Sequence, residues 1–408
     1  MRILFYLKEN RLSPRGGPYG VGYYYWKEMK DRNENSIDFI GDNTSQDRIK
    51  SAGRKIASHL PEKVYKFQQI FRDIRHLKRI FKNPQPVENV DLSKYDVVQF
   101  HETLDLYMEK EQLQHYQGVV ILQSHSPLPL GMEKCLSYPP IYKRLIPDIE
   151  KQFNEIDRYA FERADYLLFP CEEAEEPYMN NWNLYAGIKS KKKNSYKYVL
   201  TGINKAIPAR GSEEVRKELN ILPNDFVACY VGRHNEVKGY SSLKLIGTDF
   251  ISKNSDNWIL VAGRLGPIEA PINPKWIEIG WTTDAYSYIN ASDVFILPNK
   301  VTYFDLVMIE VLSLGKIVIA SRTGGNKFYE KNHVPGVFLY DTENEALELL
   351  DKIKSMTKEE REKLGKDNVK FYNERLCVSS MYDSYFQVIK DIEEEIKQKG
   401  ESVTLNAR

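Results

Sequence analysis

Two cationic side chains, Arg233 and Lys238, lie on a loop that directly follows an apolar run in the second half of the chain. The run, DFVACYVGR, has the pattern of a buried strand that ends in a turn. Two fixed cations in a cleft of low dielectric constant can stabilise an anionic leaving group, such as a diphosphate, without a metal ion. Surface cations after strands are common, so the pair alone is a weak signal of function.

Two histidines, His101 and His125, each follow a short apolar run in the first half of the chain. The carboxyl ends of parallel strands meet at the sheet edge where ligands bind, so both imidazoles are predicted to reach a ligand. A lone histidine in such a place is usually structural, but two at consecutive strand ends favour a function. Glu102 and Asp105 are alternative candidates for activating an acceptor hydroxyl, and the sequence does not rank them.

The elements that must position these residues are short strands separated by amphipathic, helix-length stretches. Near the N-terminus an apolar run, the glycine-rich LSPRGGPYGVG and YYYWKEMKDR predict a strand, a loop and a helix. Gly16 and Gly17 let the backbone approach a diphosphate, or they form an ordinary turn. From residue 206 the pattern restarts. We predict an α/β protein of two Rossmann-like doubly wound domains, 1–203 and 204–380, that face a cleft, with a C-terminal helix, 381–408, packing back on the first domain.

Composition excludes several classes of protein. The 58 Lys and Arg residues against 57 Asp and Glu residues leave a net charge of +1, so no global field indicates a nucleic-acid partner. The 4 cysteines have no metal-ligand spacing, which indicates reduced thiols and no zinc site. The N-terminal apolar run is too short for a signal sequence, and no run is long enough to span a membrane. We expect a cytoplasmic protein.

Segment 48–82 is rich in Lys and Arg and has apolar residues at helical spacing. It predicts a basic amphipathic helix. Two alternatives stay open: the apolar stripe packs on its own domain, or the helix contacts an anionic membrane at the inner face of the cell membrane.

Downstream of Lys238 the chain reads ASDVFILPNKVTYFDLVMIEVLSLGKIVIASRTGG. With the G-R and K-G pairs before it, this segment resembles the signature of GT-B fold glycosyltransferases of glycosyltransferase family 4. That signature continues with an A-D strand ending in P-S, an E-x7-E pattern within E-G-F-G-L-x-x-x-E-A-M-A-x-G, and V-V-A-S-x-x-G-G. The matching residues are Gly232, Arg233, Lys238, Gly239, Ser292, Asp293, Pro298, Phe304, Leu306, Glu310, Gly315, Ala320, Ser321, Gly324 and Gly325. The resemblance covers most of the chain, and the first half matches more weakly.

The resemblance implies an enzyme that transfers a sugar from a UDP-, GDP- or dTDP-sugar to a hydroxyl of a glycan or lipid-linked acceptor, with retention. The sequence has no DxD in a metal-site context and no His/Cys cluster, so we predict that the enzyme needs neither metal nor cofactor. Arg233 and Lys238 would bind the donor diphosphate, and His125 would lie near the donor sugar. Glu310 would hold the ribose, and a carboxylate can indeed accept two hydrogen bonds from a vicinal diol. Other implied donor contacts are Gly16, Gly17, Trp281, Thr282, Thr302 and the backbone N–H groups of Phe304, Asp305 and Leu306, with His101 and Glu102 on the acceptor side. Trp281 could equally pack in the core.

One departure from the family pattern concerns the donor sugar. Thr302 stands where the family has the first Glu of E-x7-E, which contacts hydroxyls of the donor sugar. We therefore hypothesise a deoxysugar donor such as dTDP-rhamnose, with Asp305, or Asn299 and Lys300, as substitute hydrogen-bonding groups.

Two rival functions follow from the same residues. A nucleotide-sugar epimerase shares the two-domain fold, but it needs a pair of carboxylates around the sugar ring, and we find no convincing pair. A catalytically silent GT-B-like subunit that binds glycan or a partner transferase is suggested by the missing Glu. The main prediction is a glycosyltransferase of surface or capsular polysaccharide synthesis.

Overall fold

Twelve strands in two sheets are seen in a computed structural model, which describes residues 1–14, 17–41, 62–86, 88–126 and 128–406, with 62–67, 137 and 399–406 as backbone only. The strands of the first sheet are β1 Ile3–Lys8, β2 Ile37–Ile40, β3 Val97–Phe100, β4 Val119–Leu122, β5 Tyr166–Phe169 and β6 Tyr196–Tyr198. Those of the second are β7 Phe226–Val231, β8 Asn257–Ala262, β9 Trp276–Gly280, β10 Val294–Leu297, β11 Ile317–Ser321 and β12 Val337–Tyr340.

The first sheet has the strand order β2-β1-β3-β4-β5-β6. The inner strands β1, β3, β4 and β5 are mostly apolar runs rather than alternating ones, as expected where helices cover both faces of a parallel sheet, whereas the edge strands β2 (IDFI) and β6 (YKY) carry polar residues. β1 pairs in parallel with both β2 and β3, so the order of the strands reverses between β1 and β3. The carboxyl ends of strands at such a reversal form a crevice for ligands, and His101 directly follows β3.

The second sheet has the order β12-β11-β10-β7-β8-β9. β7 pairs in parallel with both β8 and β10, so here the order reverses between β7 and β10. The loop with Arg233 and Lys238 leaves the carboxyl end of β7, and the segment with Asn299 and Asp305 leaves that of β10. Topology alone thus brings these two segments to one edge of the sheet.

Helices alternate with the strands along the described chain, which confirms the predicted α/β class. In the first half they are Gly17–Asp31, Glu62–Lys82, Thr103–Met108, Lys110–Leu113, Leu130–Ser137, Pro140–Leu145, Ile149–Arg163, Glu176–Asn181 and Tyr185–Lys191. In the second half they are Ser212–Glu218, Tyr240–Lys253, Ala285–Ala291, Leu306–Ser313, Asn326–Lys331, Glu343–Ser355, Lys358–Phe371 and Val378–Asn406. None of the described helices is both long enough and apolar enough to cross a membrane.

The chain divides into two compact units. The first unit consists of Met1–Phe169 and Tyr178–Lys197, and the second of Pro170–Pro177 and Tyr198–Arg408. The second unit therefore includes a short segment that interrupts the first unit in sequence. Helix Val378–Asn406 belongs to the second unit in this division, and the predicted packing of 381–408 on the first domain stays a prediction.

The basic segment forms a helix over Glu62–Lys82, and its predicted part at 48–61 lies outside the described residues. The apolar stripe of this helix includes Ile74, Leu77 and Ile80, all of which are buried. They pack in one cluster with Tyr142, Ile146, Ile149 and Phe153 of the same unit. The part of the stripe formed by Ile74, Leu77 and Ile80 is therefore covered by its own unit, as in the first of the two alternatives, while Phe71 is 46% exposed.

Candidate functional site

The loop after β7 is held in shape by a buried tyrosine. The Tyr230 hydroxyl donates to the carbonyl oxygen of Arg233 at 2.9 Å and lies 3.5 Å from that of Lys238. Asn235 adds a second constraint, because its Oδ1 accepts from the Lys238 N–H at 2.9 Å. The backbone on both sides of the loop is thereby fixed before any ligand binds.

Gly239 ends this loop in a conformation that other residues rarely adopt. Its φ is +65°, and a Cβ there would lie 1.7 Å from the carbonyl oxygen of Pro298. The absence of a side chain is what allows the loop to approach the end of β10 so closely. The K-G pair thus places a cation next to the β10 segment.

The two predicted cations differ in their surroundings. The Arg233 side chain is exposed. The Lys238 side chain is 34% exposed, and its Nζ lies 2.8 Å from Oδ1 of Asp305. Asn299, which is buried at the end of β10, donates from its amide to the other carboxylate oxygen of Asp305. The Asp305 carboxylate is therefore already paired with the Lys238 ammonium group.

Thr302 and Phe304 are placed by packing. Thr302 is 1% exposed, and its carbonyl oxygen accepts from the Gly325 N–H at 3.4 Å. Phe304 is buried with its ring against Phe328 and Tyr329. As placed, the Phe304 ring is a core group, so only its backbone is available to a ligand.

Glu310 lies on helix Leu306–Ser313, whose other central residues are buried and apolar. Its Oε1 accepts a hydrogen bond from the Tyr286 hydroxyl at 2.8 Å. Burial raises the pKa of the Glu310 carboxyl, and the bond from Tyr286 partly offsets that rise. A half-buried carboxylate with one oxygen engaged keeps acceptor capacity on the other, as a ribose diol requires. Tyr286 was missed by sequence reasoning, since nothing in its local pattern distinguishes it from other tyrosines.

Trp281 and Thr282 follow β9. Trp281 is 63% exposed, and the Arg264 guanidinium lies over its ring at 5.9 Å. The core-packing alternative for Trp281 is therefore wrong. Thr282 accepts from the Asp284 N–H at 3.0 Å through Oγ1, which shapes the turn that carries the indole. An exposed aromatic face of this kind can stack on a planar ligand.

The first unit contains a pocket of about 200 Å³ at the carboxyl ends of β3 and β4. Its lining includes His101, Glu102, Ser124, His125, Glu133 and Tyr178. Ser124 and Tyr178 share a hydrogen bond of 2.6 Å between their hydroxyl oxygens. Hydroxyls, carboxylates and imidazoles in one small cavity suit a ligand with several hydroxyl groups.

The two histidines of the pocket are hydrogen-bonded to each other. Nδ1 of His101 lies 2.9 Å from Nε2 of His125, and the rings are nearly parallel. His101 is fully buried and His125 partly so. Burial lowers the pKa of both, that of His125 to about 4, and the neighbouring imidazole contributes to the low pKa of His101. Both rings are therefore neutral near pH 7, and His101 holds the His125 ring in place through their shared hydrogen bond.

The two candidate carboxylates, Glu102 and Asp105, differ in their surroundings. Glu102 is exposed and lines the pocket. Asp105 is not among the lining residues; burial and the carboxylates of Glu102, Glu109 and Glu88 raise its pKa to about 7. This geometry favours Glu102 for contact with a ligand.

A further carboxylate, Asp157, lines the pocket and was missed by sequence reasoning. It accepts from the Thr103 hydroxyl and from the Leu130 N–H, both at 2.6 Å, and burial raises its pKa to about 7. Asp157 thus ties together the two helices that begin at the pocket. Its position on a long amphipathic helix gave no sign of this role.

The glycine loop after β1 is described only in part. Gly16 lies outside the described residues. Gly17 has a φ of +66° and begins helix Gly17–Asp31, and a Cβ at this position would meet no atom within 4 Å. Its predicted contact with a diphosphate stays a prediction.

Residues 211–371 match the family of glycosyl transferases group 1. This group 1 segment holds Arg233, Lys238, Trp281, Asp305 and Glu310, whereas the pocket of the first unit lies outside it. No curated protein matches the sequence. The match supports glycosyltransferase activity; membership of family 4 stays a prediction.

Solved structures resemble the chain over nearly its whole length. Sucrose-phosphate synthase (tll1590) from Thermosynechococcus elongatus has a TM-score of 0.63 at 16% identity, with 97% of this chain and 100% of that chain covered. Alr3699/HepE from Anabaena, in complex with UDP, has a TM-score of 0.58 at 13% identity, with 96% and 100% covered. WaaG, a glycosyltransferase involved in lipopolysaccharide biosynthesis, has a TM-score of 0.56 at 12% identity, with 94% and 98% covered. These similarities confirm the predicted GT-B fold of two Rossmann-like domains.

Proposed function

We propose that the protein is a glycosyltransferase that uses a nucleoside-diphosphate sugar. The observation that carries this proposal is the meeting, at the strand reversal of the second sheet, of the Arg233 and Lys238 loop with the start of helix Leu306–Ser313. Cations and a helix N-terminus both favour a phosphate ligand. The group 1 match over 211–371 supports the same assignment.

Within this proposal each part of the second unit has a distinct task. Arg233 and Lys238 neutralise the diphosphate as the glycosidic bond breaks, which stabilises the leaving group. Glu310, steadied by Tyr286, accepts hydrogen bonds from the ribose, and Trp281 stacks on the base. The backbone N–H groups of Phe304, Asp305 and Leu306 face the donor sugar or its phosphate.

We assign the acceptor to the pocket of the first unit. His125 orients the donor sugar, and His101 and Glu102 serve the acceptor side, His101 through its bond to His125. A neutral His125 is suited to hydrogen bonding rather than to carrying charge. The transfer retains anomeric configuration through attack on the same face as the leaving phosphate, and it needs neither metal nor cofactor.

The pathway we favour is surface or capsular polysaccharide synthesis, with a glycan or lipid-linked acceptor. WaaG is described as a glycosyltransferase of lipopolysaccharide biosynthesis, which supports a glycan acceptor of this kind. The exposed basic residues of helix Glu62–Lys82 support contact with an anionic membrane, through charge rather than through the buried apolar stripe.

The donor sugar is the finer part of the proposal. HepE is described in complex with UDP-glucose. The burial of Thr302 at the place of the family's first Glu supports a donor with fewer hydroxyls to recognise, such as a deoxysugar on dTDP. Hydrolysis of UDP-, GDP- and dTDP-sugars would be compared, and a clear preference for UDP-glucose would reject the deoxysugar hypothesis.

The test of the function is calorimetry and thermal shift of the purified chain with UDP, GDP, dTDP, CDP and their sugars. Arg233→Ala/Lys238→Ala is expected to lose at least tenfold in affinity for the diphosphate that binds, since about 1.4 kcal/mol corresponds to tenfold. Lys363→Ala/Lys366→Ala removes the same charge from exposed positions of helix Lys358–Phe371 and is the matched control. If no nucleotide binds the natural chain, a catalytically silent subunit becomes the better explanation.

A further inference from the structure

Asp305 is the most unusual group of the proposed donor site, because it brings a negative charge to the place of a diphosphate. Its Oδ1 lies 2.8 Å from Nζ of Lys238. Its Oδ2 accepts from the side-chain amide of Asn299. The carboxylate is 19% exposed, so this ion pair is only partly screened by water.

The Asp305 carboxylate does not cap the helix that begins at the next residue. Asp305 is the N-cap residue of helix Leu306–Ser313 and has the extended backbone typical of a cap. An N-cap Asp usually accepts from an N–H group of the first turn, but the Asp305 side chain makes no such bond. Lys238 and Asn299 hold it instead, which leaves the first turn of the helix without a side-chain cap.

This arrangement has an electrostatic consequence for any phosphate that binds there. Lys238 presents little net positive charge while Asp305 is its partner. A phosphate oxygen that replaces the carboxylate at Nζ would lie close to a like charge unless Asp305 moves. Asp305 could move so that its carboxylate accepts from N–H groups of the first turn of helix Leu306–Ser313. That move is possible only if the bound phosphate does not use the same N–H groups.

We propose that Asp305 is a built-in competitor of the donor diphosphate for Lys238, and that it sets the affinity of the site for the diphosphate. This inference rests on the proposed function. A neutral residue at 305 frees Lys238 and removes the repulsion of the phosphate. If Asp305 instead only positions Lys238, a neutral residue at 305 should weaken the binding of the diphosphate.

The experiment compares the natural chain with Asp305→Asn, because Asn keeps the shape and the capping ability of Asp without its charge. Affinities for UDP, GDP, dTDP, CDP, inorganic pyrophosphate and the uncharged nucleosides are measured by calorimetry. We expect Asp305→Asn to bind pyrophosphate and the preferred nucleoside diphosphate about tenfold more tightly. Affinity for the nucleoside, which lacks phosphate, should not change.

Two controls make the result specific. Asp305→Ser introduces a second neutral cap residue and should act like Asp305→Asn. It keeps the test available if the Asn variant folds poorly. Asp351→Asn removes a carboxylate that pairs with Lys253 at 2.6 Å on the surface, and it should leave every affinity unchanged.

Weaker diphosphate binding by both neutral variants would overturn the inference and make Asp305 a positioning residue for Lys238. Unchanged binding would overturn it as well. In both cases the proposed donor site stands, because the natural chain still binds the nucleotide. Absence of nucleotide binding in all chains would overturn both proposals together.

Discussion

At the scale of single residues, the His101–His125 pair shows how burial controls protonation. Both imidazoles were predicted from the ends of apolar runs, but their direct bond of 2.9 Å was not. A charged imidazole is disfavoured in this cavity because burial removes the water that would hydrate the charge. A second imidazole beside it disfavours the charge further. The pair thus acts as a neutral hydrogen-bonding unit.

The first prediction follows from this burial. Because the pKa of His125 is lowered to about 4, its ring should stay neutral until the pH falls far below the ordinary histidine range. The unfolded chain takes up this proton near pH ~6.5, so the contribution of His125 to stability is present above that pH and is lost as the pH falls towards 4. Nitrogen-15 NMR of histidine-labelled protein, with His125→Gln to assign the signal, would measure it. A ring that titrates between pH 6 and 7 would contradict the prediction.

Single residues also mark the limit of sequence reasoning at this site. Arg233, Lys238 and Glu310 were found because their spacing belongs to a motif. The bonds between Lys238 and Asp305 and between Glu310 and Tyr286 join residues 67 and 24 positions apart. Such pairs depend on how strand ends meet in three dimensions, and periodicity carries no information on that.

At the scale of elements, the loop between β7 and helix Tyr240–Lys253 depends on one glycine. Gly239→Ala would need a positive φ and would place its Cβ 1.7 Å from the Pro298 oxygen, so the backbone must shift. We expect a loss of about 2–4 kcal/mol in the free energy of unfolding and at least tenfold weaker nucleotide binding, because Lys238 moves with the loop. Urea unfolding and calorimetry would measure both.

A matched substitution separates this effect from the general effect of replacing glycine. Gly187 is exposed on helix Tyr185–Lys191 with no atom within 4 Å of its Cβ position. Gly187→Ala should stabilise the protein by about 0.5–1 kcal/mol, since alanine loses less backbone entropy in a helix. If Gly239→Ala behaved in the same way, the close approach of the loop to β10 would be unimportant.

The basic helix Glu62–Lys82 leads to a third prediction. Its exposed face carries Arg72, Arg75, Lys78, Arg79 and Lys82. Binding to vesicles should therefore require anionic lipid and weaken with salt, with about 1 kcal/mol lost for each basic residue replaced by Gln. Liposome flotation of the natural chain and of Arg72→Gln/Arg75→Gln/Arg79→Gln would test this. Equal lack of binding to anionic and neutral vesicles would remove membrane contact from the proposal.

Element order was predictable for a physical reason. Buried parallel strands are apolar along most of their length, so runs such as VVIL and VFIL are visible in the sequence, and residues at their ends could be expected at a ligand site. The fate of the apolar stripe on the basic helix was not predictable, because a membrane and a neighbouring helix accept the same stripe.

At the scale of the whole molecule, the segment Pro170–Pro177 is the feature that no sequence pattern indicated. It belongs to the second unit although residues of the first unit flank it on both sides. Glu176 accepts from the Gly324 N–H at 3.1 Å and from Lys327, while Lys331 pairs with Glu173 at 2.8 Å. These contacts fix the segment on helix Asn326–Lys331.

A fourth prediction tests how these ion pairs hold the segment. In Lys327→Met/Lys331→Met the carboxylates lose their partners, and the segment should open more often. Because the segment itself is unchanged, a protease that cuts after glutamate should cleave it several-fold faster, in proportion to the open population. Lys363→Met/Lys366→Met, which removes two exposed lysines elsewhere, should be cleaved at the natural rate. Equal rates in all three chains would mean that backbone contacts alone hold the segment.

The detour of Pro170–Pro177 also bears on how the polypeptide can be made and divided. A cut after Lys197 would give one fragment whose acidic segment has lost its lysines and another whose Gly324 N–H has lost its carboxylate. During synthesis the segment leaves the ribosome well before its partners, since Glu176 and Gly324 are 148 positions apart. Glu175 can pair early, because the Tyr198 hydroxyl that donates to it is only 23 positions away, whereas Glu173 and Glu176 meet their partners only after most of the second unit has been translated.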